Sequence, residues 1–200
     1  MEKRPAAMQE NEIITRVLAG ETRAFALLVD RHKEKAMALA VRMLGNREDA
    51  EEALQDAFIR AFRSLARFEQ KAKFSTWLYR IVFNVCYSVL RVRGPVVFES
   101  EPEYVPERFV ESDRPDTLCE GAELQKIVHE AIDALPSAYG TVFTLYMVNE
   151  MSYDEIAETT GLPINTVKTR IFRGRALLRS AVAGRFNDAA ADDLMVKEKR

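Results

Sequence analysis

Residues Ser152 to Arg179 read SYDEIAETTGLPINTVKTRIFRGRALLR, and their pattern is that of two short helices joined by a tight turn. Ser152 followed three residues later by Glu155 is a capping box, so the first helix starts at about Tyr153 and carries Ile156 and Ala157 inward. Gly161 tolerates positive φ where that helix must stop, and Pro163 fits the first turn of a second helix. Ala157, Gly161 and Val167 stand where two steeply crossing helices need a close approach, a bend and a core knob. The stretch is a helix-turn-helix pattern.

Along the second helix, helical periodicity puts Val167, Ile171, Gly174 and Leu178 on the side facing the first. The opposite side carries Asn165, Thr169, Phe172, Arg173 and Ala176, flanked by Thr166 and Lys168. No acid occurs between Glu158 and Asp188, while Lys168, Arg170, Arg173, Arg175, Arg179 and Arg185 accumulate. Cations for phosphates and guanines, a hydroxyl, and a ring able to meet a thymine methyl suit a helix that enters a major groove. A basic amphipathic helix alone is most often a solvated surface helix. Joined to the capping box, the turn glycine and the spacing, it points to duplex DNA.

The chain has 200 residues with 48% hydrophobic content, enough for one or two compact domains. Its formal net charge of -2 conceals segregation of basic from acidic stretches. Cys86 and Cys119 lie far apart without metal-ligand spacing, which fits a reduced cytosolic setting, with Cys86 in an apolar run as a core residue. The N-terminal stretch lacks the continuous apolar segment of a signal peptide or membrane span, so the expectation is a soluble, cytoplasmic protein.

From the N-terminus, a short amphipathic helix is expected from about Asn11, its cap, to Leu18. A second runs from about Thr22 to Leu44, with Phe25, Leu28, Val29, Ala36, Leu39, Ala40 and Met43 as its apolar stripe. His32 in that helix has no partner for metal or catalysis and reads as a surface histidine. Asn46 caps a third helix reaching about Leu65, whose buried side is Ala50, Leu54, Ala57, Phe58, Ala61 and Leu65. Its outward side carries Glu48, Glu52, Gln55, Asp56, Ile59 and Arg63. An isoleucine amid acids is either the apolar anchor of a protein-binding face or a stray residue on a solvated one.

A loop from Ala66 to Lys73 leads into a fourth helix over about Ser75 to Arg91, with Phe74, Leu78, Ile81, Val85 and Val89 on one side. A second ridge interleaves Lys73, Thr76, Trp77, Arg80, Asn84, Tyr87 and Arg91. Rings beside cations suit unpaired bases, since stacking tolerates any base and cations hold the backbone. The bland reading places Trp77 in the core, and its position at the ridge boundary allows both.

From Gly94 to Pro115 the helical pattern stops, with four prolines and the acids Glu99, Glu101, Glu103, Glu107, Glu111 and Asp113 against Arg108 and Arg114. This composition is that of an extended, solvated linker between two helical domains. A helix from about Asp116 to Ala134, a break at Leu135 and Pro136, and a helix from Ser137 to Asn149 precede the helix pair; beyond Gly184 the chain reads as a frayed or weakly helical tail.

Two stretches joined by such a linker resemble the extracytoplasmic-function (ECF) sigma factors of bacterial RNA polymerase. RMLGNREDAEEALQDAFIRAF with KFSTWLYRIVFNVC is similar to their second conserved region, and LPSAYGTVFTLYMVNEMSYDEIAETTGLPINTVKTRIFRGRALLR to their fourth. The resemblance implies an all-α protein of two small helical domains joined by an extended acidic linker, the C-terminal one containing the helix-turn-helix. The divisions are 8–93 for region 2, 94–115 for the linker, 116–184 for region 4 and 185–200 for a flexible tail.

It also implies roles. Glu48, Glu52, Gln55, Asp56 and Ile59 would bind the clamp helices of the polymerase's largest subunit, with the flap as a second contact of the protein. Phe68, Lys71, Lys73, Phe74, Ser75, Thr76, Trp77, Arg80 and Asn84 would capture the flipped strand of the -10 promoter element. Asn165, Thr166, Lys168, Thr169, Phe172 and Arg173 would read the -35 element as duplex. An anti-sigma factor, often membrane-anchored, is the implied inhibitor, the chain being a monomer when free or a heterodimer with it. Two departures from the family pattern are Ser88, where many members carry an acid, and Tyr146-Met147-Val148-Asn149, in place of a typically charged stretch.

No nucleophile with its base, carboxylate pair, phosphate-cradling glycine loop or metal cluster is legible, so the expectation is a non-enzymatic initiation factor with no cofactor, metal or small-molecule substrate. The main alternative is a stand-alone helix-turn-helix regulator, which would leave the aromatic ridge of the fourth helix without a purpose. An enzyme or adaptor built on the acidic third helix and the two histidines is a more distant one.

Overall fold

The computed structural model describes residues 9–94, 132 and 134–197, with the backbone alone at 182 and from 184 onward. The expected linker, the expected helix before Leu135, Cys119, His129 and Arg185 lie in whole or in main part outside the description. Among the described residues the chain is helical without strands, and it divides into two compact units.

The first unit contains α1 (Glu10–Leu18), α2 (Phe25–Leu44), α3 (Arg47–Ser64) and α4 (Phe74–Arg93). Gln9 rather than Asn11 precedes α1, and single 3-10 turns at Thr22–Ala24 and Leu65–Arg67 lead into α2 and out of α3. α2, α3 and α4 pack against one another. The face of α3 that makes this possible is nearly all alanine: Ala50, Ala53, Ala57 and Ala61 are at most 4 % exposed, and small side chains let its neighbours approach closely. Leu28, Leu39, Leu78, Val82 and Cys86 fill the space opposite. Cys86 is core as expected, and burial pushes its thiol up to about 12.

Asn46 caps α3 as the sequence indicates, its side chain accepting from the Asp49 amide at 2.8 Å. Asp49 also receives Arg93 Nη1 at 2.6 Å, which ties the end of α4 to the start of α3. In the expected stripes of α2 and α3, Val29 and Phe58 are only half-buried. They line a groove between α2 and α3 with Met37, Leu54 and Gln55.

The second unit contains α5 (Ser137–Met147), α6 (Tyr153–Thr160) and α7 (Ile164–Lys197). α5 is apolar or small on every side, and Tyr139 to Leu145 are buried without a break, as a helix hydrophobic all round should be. The capping box forms: Ser152 N donates to Glu155 Oε2 at 2.7 Å and Glu155 N to Ser152 Oγ at 3.2 Å. Gly161 adopts φ +73 and donates to Ala157 O at 2.9 Å, closing α6. Pro163 lies one residue before α7, and its carbonyl accepts from Val167 N at 3.1 Å. The backbone of α7 stays helical to Lys197, through the stretch beyond Gly184 that the sequence marks as a frayed or weakly helical tail.

Candidate nucleic-acid and polymerase interfaces

On the core side of α7, Val167 and Ile171 are at most 1 % exposed as periodicity requires, whereas Leu178 is only half-buried. Gly174 continues this side for a reason specific to α5: a Cβ there would stand 3.1 Å from Phe143 Cδ2, and Phe143 is itself fully buried. The absent side chain lets the two helices meet.

On the outward side Asn165 and Phe172 are exposed, while Thr166, Lys168 and Arg173 are half-buried. Phe172 at 48 % exposure is a large apolar ring in water, a group able to meet a thymine methyl. Thr169 corrects the sequence reading, being 8 % exposed with no hydrogen-bond partner for its buried hydroxyl.

Two arginines of this helix are held by tyrosines of α5. Arg173 Nη1 donates to Tyr139 Oη at 3.3 Å, and Arg175 Nη2 donates to Tyr146 Oη at 2.9 Å. The Arg175 guanidinium lies 5.1 Å from the Tyr146 ring centre, and Tyr153 packs on that ring at 5.3 Å. By sequence alone Arg175 is one of the cations that accumulate in this helix. The signal for its fixed position was Tyr146, one of the two noted departures from the family pattern.

In the first unit, Phe68 from the loop, and Phe74 and Trp77 from the first turn of α4, form one aromatic cluster. Ring centres are 5.1 Å apart for Phe68 and Trp77, 5.8 Å for Phe68 and Phe74, and 5.6 Å for Phe74 and Trp77. Phe74 is 3 % exposed: it belongs to the core stripe with Leu78 and Val82, so it is the floor of the cluster and not a surface for bases. Phe68 and Trp77 remain half-exposed above it. Lys71, Lys73, Arg80 and Asn84 are exposed around them, Ser75 and Thr76 half-buried, and Lys71 pairs with Glu69. Gln70 takes a left-handed φ of 56 where the loop bends. The arrangement is a shallow aromatic shelf with a cationic rim, which suits an unstacked base and its phosphates.

On α3, Glu48, Glu52, Gln55 and Ile59 are exposed and Asp56 is half-buried in a pair with Arg60 at 2.7 Å. Ile59 is 49 % exposed and Phe62, one turn further, 38 %. Two large apolar side chains of α3 are thus exposed, Phe62 being an addition to the sequence reading.

His32 is the largest correction. Expected at the surface, it is 7 % exposed, with Nε2 at 2.8 Å from Glu10 Oε1 and Nδ1 at 3.3 Å from the Tyr79 hydroxyl. Its spacing one turn from Leu28 and one from Ala36, both core residues, was the overlooked signal.

Comparison with known proteins identifies the class. The sigma-70 region 2 family matches residues 28–95, and the sigma-70 region 4 family matches residues 125–178. The ECF RNA polymerase sigma factor SigW of Bacillus subtilis is 38% identical over 173 residues, covering 83% of this chain and 92% of that protein. Among solved structures, CnrH in complex with the cytosolic domain of CnrY aligns with a TM-score of 0.55 at 26% identity, over 86% of this chain and 96% of that one. The sigma factor RpoE of Bartonella quintana, solved with the anti-sigma factor NepR, shares the fold with a TM-score of 0.57 at 23% identity, over 80% and 96% of the two chains.

The chain belongs to the ECF sigma factors of RNA polymerase. Sigma factors are transcription initiation factors rather than catalysts. Among the described residues no group of His, Cys, Asp and Glu is placed to hold a metal, and no helix is long and apolar enough to cross a membrane.

Proposed function

We propose that this protein binds core RNA polymerase in the cytoplasm and directs it to promoters by dividing recognition between its two units. The boundaries read from the sequence, 8–93 and 116–184 on either side of an acidic linker at 94–115, separate strand capture from duplex reading. Glu48, Glu52, Gln55, Asp56 and Ile59 present an acidic face with an apolar centre to the clamp helices, and the second unit engages the flap. Asn165, Thr166, Lys168, Phe172 and Arg173 read the -35 duplex. Phe68 and Trp77, rimmed by Lys71, Lys73, Ser75, Thr76, Arg80 and Asn84, receive bases of the -10 strand. Phe74 supports them from below and Thr169 stays inside.

No ATP, metal or cofactor is required. Each captured base stacked on a ring contributes about 1–3 kcal/mol, which offsets the loss of stacking in the duplex. The chain acts as a binding protein and not an enzyme, and its activity is withheld by an anti-sigma factor, the partner of the solved sigma factor RpoE.

The observation that carries this reading is the aromatic shelf. A stand-alone duplex-binding regulator has no use for half-exposed rings with a cationic rim on a separate unit. The test is a binding comparison by sedimentation and fluorescence anisotropy, with purified core polymerase, with -35 duplex and with single-stranded -10 oligonucleotide. Tight binding to core polymerase, weak binding to duplex alone, and base-dependent single-strand binding in the complex support it. Tight, specific duplex binding with no affinity for polymerase favours the regulator instead.

A further inference from the structure

His32 joins two parts of the first unit that the proposed interfaces leave unconnected, the start of α1 and the aromatic shelf at the start of α4. A carboxylate only accepts hydrogen bonds, so Nε2 carries the hydrogen and donates to Glu10; in the neutral ring Nδ1 then accepts from the Tyr79 O–H. Both ring nitrogens are thereby used. The ring edges and faces meet Tyr79 at 6.0 Å and Phe74 at 5.5 Å between centres. Phe74 is the floor on which Phe68 and Trp77 rest.

An apolar side chain in the core stripe between Leu28 and Ala36 would pack without desolvating any polar atom. A ring held at both nitrogens differs in having one orientation, because both hydrogen bonds lose strength if it tilts. Phe74 packs on a fixed surface as a result, and the two rings above it inherit that definition. Rings already in place bind a flipped base without the entropy cost of ordering them.

We infer that His32, anchored by Glu10 and Tyr79, is a positioning residue for strand capture, fixing Phe74 so that Phe68 and Trp77 stand ready for an unstacked base. The inference rests on the reading of Phe68 and Trp77 as the strand-capturing surface. It gives α1 a role in promoter opening although none of its residues lies in the interfaces proposed above.

The experiment uses the full-length protein assembled with core polymerase on a duplex promoter. Permanganate reactivity of -10 thymines reports opening, and the emission of Trp77, the chain's single tryptophan, reports the shelf in the free protein. His32→Phe keeps a ring of similar bulk and removes both hydrogen bonds. Glu10→Ala, at a side chain one-third exposed, removes the anchor without touching the core, and Glu10→Gln leaves an oxygen that still accepts from Nε2.

His32→Phe and Glu10→Ala are expected to lower the extent of opening roughly three- to tenfold, the worth of one or two hydrogen bonds. Trp77 emission should shift in both, Glu10→Gln should recover most of the native behaviour, and affinity for core polymerase should stay unchanged. Native opening and native Trp77 emission in both variants overturn the inference. So does a loss of opening matched by an equal loss of polymerase binding, which marks a general structural role. Trp77→Ala measured in parallel separates the two levels: if it opens promoters normally, the strand-capture reading itself fails, whereas if it alone is impaired only the role of His32 fails.

Discussion

Arg175 is clamped by Tyr146, which accepts a hydrogen bond from Nη2 at 2.9 Å while the guanidinium lies 5.1 Å from the ring centre. A cation so placed loses side-chain freedom before any ligand arrives, and it belongs to the helix proposed to enter the major groove. Tyr146→Ala is therefore expected to weaken binding to -35 duplex by about 1 kcal/mol, the worth of a cation–π contact. Fluorescence anisotropy on a matched and a scrambled -35 duplex checks this. An equal loss on both assigns Arg175 to phosphate, and a loss on the matched duplex alone assigns it to a base.

Arg173 differs in its expected signature. It stands beside exposed Phe172 on the outward side of the helix and donates to Tyr139 Oη at 3.3 Å, and in the proposed reading it meets a base edge. Arg173→Ala should cost about 1–3 kcal/mol on the matched -35 sequence and little on a scrambled one. Competition binding with single-base variants of the duplex locates the position whose discrimination disappears.

Asp49 gives the first unit an acid sensitivity. The hydrogen bond from Arg93, and then that from Asn46, lower its carboxyl from the ordinary 3.8 to about 2. Its folded-state value is depressed, so the stability it contributes is present above 3.8 and is lost as pH falls toward 2. Asp49→Asn is expected to flatten the fall in stability across that window, and circular dichroism during acid titration of both proteins measures it. An identical acid profile for the two would show that Arg93 makes no productive pair.

The capping box at Ser152 closes the start of α6 with two reciprocal hydrogen bonds. Ser152→Ala removes one acceptor and should destabilise the helix locally by about 1 kcal/mol. Hydrogen exchange at the Glu155 amide, which donates to Ser152 Oγ, is expected to accelerate. Unchanged protection there would mean that tertiary packing and not the cap fixes this helix end.

Most of the fold was legible because its signals are local. Asn46, Ser152 and Gly161 each set a helix end through contacts within four residues, and all three behave as their sequence context indicates. The largest difference depends on neighbours distant in sequence. His32 is inside because Glu10 and Tyr79 supply partners 22 and 47 residues away, and no periodicity displays such partners. Phe74 carried both a core and a ligand reading, and the structure gives it the core position from which it supports Phe68 and Trp77. Thr169 lies on the outward side by helical angle yet is buried, since the angle places a residue on one helix and does not show what packs over it. Tyr146 departs from the family pattern in sequence, and its contact with Arg175 is the physical reason for it.

Run-off transcription on a promoter duplex with purified core polymerase tests the central claim most directly, comparing no added factor, the native protein and Ile59→Glu. Ile59 is exposed and outside the core, so a charge there leaves the fold intact while burying an unpaired carboxylate at the proposed contact. The expected result is transcript that depends on the native protein and is lost with Ile59→Glu, while duplex binding by the second unit is retained. Absence of factor-dependent transcript, or full activity of Ile59→Glu, would contradict the account: the first removes the initiation role on that promoter, and the second removes this face of α3 from the polymerase interface.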